Sequence, residues 1–112
     1  MPEIGDIIEL IVDIPQRGLR YGRQGAIVHR HAPDAYEVEF TESDGTTEDF
    51  LALHTDQFIV VWRAETGKPV PVSEQISALV TRLPEDVATE VLDFARFLSA
   101  KKQVADHLST PG

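Results

Sequence analysis

The stretch Asp13–Phe40, DIPQRGLRYGRQGAIVHRHAPDAYEVEF, decides the fold. Its last seven residues before Thr41 alternate: Tyr36, Val38 and Phe40 fall on one side of an extended chain, and Glu37 and Glu39 on the other. That period of two belongs to a strand with one buried face. Ahead of it, Gly18, Gly22 and Gly25 punctuate a long loop. These glycines are read as permitting tight backbone turns. Ala26 to His31 then forms a strand that ends at Ala32, Pro33 and Asp34.

Working outward, Ile7 to Ile14 reads as a first strand stopped by Pro15. Ser43, Asp44 and Gly45 supply a turn, followed by a strand from about Thr47 to Leu53, a short turn over Thr55–Gln57 and a last strand from Phe58 to Trp62. Five short strands with no helix between them predict a small antiparallel β-barrel over residues 1–62, because closure removes exposed sheet edges. Residues 63–72, RAETGKPVPV, hold one glycine and two prolines and read as a linker. The period then changes to that of a helix. Ser73 is read as an N-cap, Ile76, Leu79, Val80 and Leu83 as a stripe, and Pro84-Glu85-Asp86 as the first turn of a second helix. The expectation is therefore an α+β chain, with a helical hairpin over 73–103 and a flexible tail over 104–112.

Charge narrows the function classes. The chain of 112 residues has a net charge of −9, and residues 1–62 carry 12 acids against 4 arginines. Such a domain repels nucleic acid at long range, which argues against broad coating of DNA. Zero cysteines exclude thiolate catalysis, disulfides and cysteine-ligated metals. The acidic N-terminus lacks the pattern of a secretory signal and the apolar runs are too short to span a membrane, so no membrane partner is expected and a cytoplasmic location is.

In the second helix, Val87, Val91, Phe94, Ala95 and Leu98 share a face, while Leu92 and Phe97 lie on its flanks. This arc is wider than the roughly 100° stripe that covers one neighbour. Phe94, Leu98, Leu92 and Phe97 are therefore the candidate partner-binding residues, for a toxin-like enzyme or for a second copy in a homodimer. The alternative site is the loop, where Arg17, Arg20 and Arg23 interleave with Tyr21 and could grip an RNA backbone and stack a base. The glycine spacing fits neither a dinucleotide fingerprint nor a phosphate-binding loop. His29 and His31 point to one face of a strand, but two ligands are too few for a metal, and His54 or Asp34 would have to complete the shell. No serine sits in a nucleophile frame. No catalytic residue, cofactor or metal site is expected, and the chain is read as a non-enzyme.

Two resemblances add to this reading. Asp13, Pro15, Gly18, Leu19, Gly22 and Gly25, with Tyr36, Val38, Glu39 and Phe40, resemble the D-x-P-x-x-G-L-x-x-G-x-x-G and Y-x-V-E-F patterns of an uncharacterised bacterial family of small SH3-like barrels. The resemblance implies a fold and brings no activity. Separately, Leu83, Pro84, Glu90, Val91, Leu92, Asp93, Phe94, Phe97 and Leu98 are similar to a helical segment of small bacterial antitoxin-like proteins. The architecture, a barrel tethered to a helical hairpin, is read as a noncatalytic protein-interaction module, antitoxin-like by that similarity, with an RNA-associated barrel using the arginine-rich loop or an accessory subunit of an enzyme as alternatives.

Overall fold

The computed structural model describes residues 1–42 and 47–109, with the side chains of 47, 48 and 105–109 also set aside. The expected turn at Ser43–Gly45 lies outside the described residues. Among the described residues the chain is α+β, with six antiparallel strands, β1 (Ile7–Leu10), β2 (Gln24–Ala32), β3 (Ala35–Thr41), β4 (Thr47–His54), β5 (Phe58–Arg63) and β6 (Lys68–Pro69), then helices α1 (Val72–Val80) and α2 (Glu85–Ser109). Two compact units divide it, residues 1–78 and 79–112.

The sheet order is β4-β3-β2-β1-β5-β6. Six strands replace the expected five. The pairings describe an open sheet with β4 and β6 as its edges, and closure into a barrel is not among them. The sixth strand lies inside the segment read as a linker. Trp62 pairs with Pro69 and Arg63 with Lys68, and the Val70 amide donates to the Val61 carbonyl at 2.9 Å. The turn between them closes through Gly67 at φ 63°. A proline-bearing strand is tolerated here because β6 is an edge, where Pro69 need not donate to a neighbour.

Alternation in β3 places Tyr36, Val38 and Phe40 fully in the core, with Ile8, Leu10, Leu19, Ile27, Leu53 and Phe58 around them. The Tyr36 ring meets Phe58 edge to face at 6.1 Å. Its hydroxyl has no hydrogen-bond partner among the described residues, a polar cost offset by the burial of the ring.

The glycines divide by role. Gly18 and Gly22 take φ of 67° and 92°, as turn glycines do. Gly25 does not belong with them. It lies inside β2 opposite Ile8, and a Cβ there would stand 2.6 Å from Val38 Cγ1 and 2.9 Å from Phe40 Cε1. What Gly25 supplies is space for the buried side chains of β3 rather than a turn.

The first strand is shorter than expected, and Ile14 is held instead by an isolated bridge to Leu19 across the one-turn 3₁₀ helix Pro15–Arg17. Asp6, 2% exposed, ties the N-terminal turn to the end of β5. Its carboxylate accepts from the Glu3 amide and the Ala64 amide, each at 2.9 Å. Helix α1 starts one residue before Ser73: the Pro71 carbonyl accepts from the Glu74 and Gln75 amides. Pro84 opens α2, its carbonyl accepting from Ala88, with Glu85 and Asp86 at the positive end of the helix. The backbone remains helical through Ser109, past the boundary at 103 expected from the loss of periodicity.

Candidate functional site

Helix α2 runs for 25 residues, about 37 Å at 1.5 Å per residue. Val87, Val91, Phe94 and Leu98 recur at intervals of four, three and four, the spacing of a seam between paired helices. Leu92, Phe94, Phe97 and Leu98 are 48, 62, 59 and 46% exposed. Phe94 and Phe97 stack on each other at 6.3 Å with their planes 22° apart, so two rings form one apolar plate on the helix surface. Val87 and Val104 are exposed beside them. The four residues expected to bind a partner are all on α2, each about half exposed or more.

The arginine loop is arranged differently. Arg17 reaches β4 and donates through Nη1 to both Asp49 carboxylate oxygens, at 2.9 and 2.7 Å. Arg23 donates through Nη2 to the Thr41 carbonyl at 2.8 Å. These two cations hold the loop to β4 and β3, and a phosphate would have to displace those bonds. Arg20 and Tyr21 line an open hollow of ≈ 600 Å³ with Asp13, Pro15, Gly18 and Leu19. Asp13 holds the loop in shape by accepting from the Tyr21 amide at 2.8 Å.

The histidines form two small groups. His29 and His31 are neighbours on β2, ring centroids 4.8 Å apart, and His31 Nε2 lies 3.1 Å from Glu37 Oε1. His54 caps the 3₁₀ turn Thr55–Gln57, its Nδ1 accepting from the Asp56 amide, while Nε2 lies 3.0 Å from Asp34 Oδ2. Asp34 and His54 therefore pair with each other. Among the described residues no group of three or more histidines and acids is placed to hold a metal ion.

The Asp34 carboxylate at Nε2, and after it the Asp56 carboxylate, raise the His54 pKa above its ordinary value: once the ring is protonated Nδ1 donates to Asp56 Oδ1, 2.9 Å away, in place of accepting from the Asp56 amide. The proton is held more tightly in the folded chain than in the unfolded one. Any stabilisation from it is complete below the unfolded-state pKa and is lost as pH rises through the folded pKa. Imidazole NMR titration should therefore place His54 above the ordinary histidine midpoint, and Asp34→Asn should bring it down. An unchanged midpoint in that variant would remove Asp34 as the main cause.

Sequence reasoning missed Asp6 and the packing role of Gly25. A lone acid near an acidic N-terminus carries no mark of burial, and a glycine in a glycine-rich loop reads as a turn.

The family described as Domain of unknown function (DUF4926) matches residues 4–60, which is β1 through the first half of β5. A second, described as Protein of unknown function (DUF2281), matches residues 75–111, from within α1 through α2. Searches of curated proteins and of solved structures found no match.

Proposed function

Because the chain belongs to the DUF4926 family through residues 4–60, and no catalytic constellation is read in its sequence, we propose that it is a noncatalytic interaction protein. The sheet unit is its folded platform, built as a small SH3-like domain, and α2 is the element that binds another protein. The observation that carries this reading is the exposure of Leu92, Phe94, Phe97 and Leu98 on one helix. Isolated exposed apolar residues are ordinary, whereas aromatic and leucine side chains gathered on one helix form the anchors of a helix-in-groove contact. The match of residues 75–111 to a second family supports treating this helical part as a module of its own. The similarity of Leu83–Leu98 to antitoxin-like segments supports a toxin-like enzyme as one class of binder.

The RNA reading has weaker support, since Arg17 and Arg23 are engaged by the protein's own strands.

The test is the double variant Leu92→Asp with Phe97→Asp. Both side chains are exposed and lie outside the sheet unit, so circular dichroism and the unfolding midpoint of the sheet should stay as in wild type. Light scattering and pull-down from the native cell should show loss of the associated mass, because charge is placed on both flanks of a desolvated contact. Unchanged mass together with an unchanged set of captured proteins would refute the docking role of α2.

A further inference from the structure

Resting on the docking role of α2, we infer that its occupant is α2 of a second copy of this chain, lying antiparallel. The order of charges along the helix carries the inference. Residues 85–93 contain Glu85, Asp86, Glu90 and Asp93 and no base; residues 94–105 contain Arg96, Lys101 and Lys102 and no acid, and the next acid in the sequence is Asp106. The helix dipole accounts for Glu85 and Asp86, which stand in the first turn. Its influence fades within a turn of each end, so it does not account for the order of Glu90, Asp93, Arg96 and Lys101.

Two copies laid parallel would set acidic half on acidic half and basic on basic. Laid antiparallel, each acidic half faces the other's basic half. The seam gives the same answer. Continuing the intervals from Val87, Val91, Phe94 and Leu98, the next position is Lys101. In a parallel pair the two Lys101 ammonium groups would meet across the axis. In an antiparallel pair each comes opposite the acidic half, near Val91 and Glu90, where its stem covers apolar surface and its charge has a partner. Phe94 and Leu98 then cross at the middle of the pair, with the stacked Phe94–Phe97 plate beside them. The internal Asp93–Arg96 pair, 3.3 Å apart, is more than half exposed at both side chains and holds its charges only weakly.

The absence of cysteine makes orientation measurable with single-cysteine variants of the full chain. Ala95 lies near the midpoint between the acidic and basic halves, so the two copies of A95C should approach each other. The two copies of A88C should be about 20 Å apart at 1.5 Å per residue. Sedimentation equilibrium of wild type should give twice the 12.4 kDa chain mass. Mild oxidation should then cross-link A95C at least tenfold faster than A88C. Equal rates, or faster linking of A88C, would overturn the antiparallel arrangement. A wild-type mass of one chain at hundreds of micromolar would overturn self-pairing. In that case, loss of a co-purifying protein in Leu92→Asp/Phe97→Asp would still leave the docking role standing, and no loss would remove both.

Discussion

Phe40→Ala is expected to lower the stability of the sheet unit by roughly 3–5 kcal/mol, the range for removing a buried aromatic side chain. Phe40 is fully buried near the C-terminal end of β3, and its ring edge stands over Gly25, where β2 has no side chain to move into the gap. The cavity would therefore persist instead of being filled by a neighbour. A small domain has only about 5–15 kcal/mol in total, so the loss is a large share of it. Glu39→Ala, one residue away on the opposite face and partly exposed, should change the midpoint by less than about 0.5 kcal/mol. Urea titrations of the two variants give the comparison, and the reverse ranking would mean that the sheet buries its other face.

Asp6→Ala is the second large loss expected, on the order of 3 kcal/mol. The substitution removes both acceptors from the Glu3 and Ala64 amides. Each donor left without a partner out of water costs about 1–3 kcal/mol. The Ala64 bond joins residues 58 positions apart in the chain, so its loss loosens the end of β5 as well as the N-terminal turn. Asp6→Asn keeps one carbonyl acceptor and should cost less than Asp6→Ala. Denaturation midpoints for Asp6→Ala equal to wild type would show that the carboxylate does not hold these ends together.

What could be read from sequence follows from where side-chain pattern is sufficient. Tyr36, Val38 and Phe40 were legible as core because alternation alone fixes a face. The boundaries of β3 and the presence of two helices followed in the same way, from periods of two and of 3.6. Pattern fails where backbone partners decide. Pro69 marks a break in sequence but sits at a sheet edge that does not need its amide. Gly25 resembles Gly18 and Gly22 in spacing and differs only in what packs above it. Asp6 becomes structural through two amides, one of them distant in sequence. For the candidate site, the width of the apolar arc on α2 was legible, and the structure adds the exposure of its members and the stacking of Phe94 on Phe97. The engagement of Arg17 with Asp49 was not legible, since it joins a loop to a strand 32 residues later.

The most direct test of α2 as the docking element is residue-resolved: backbone amide NMR of the full chain over a dilution series from hundreds of micromolar downward. Association through α2 predicts that concentration-dependent shifts and broadening gather on residues 87–104, centred on Phe94, Phe97 and Leu98, while β1–β5 amides stay in place. Shifts gathered on the arginine loop over 13–23, or on the edge strand β4, with α2 unchanged at every concentration, would contradict it.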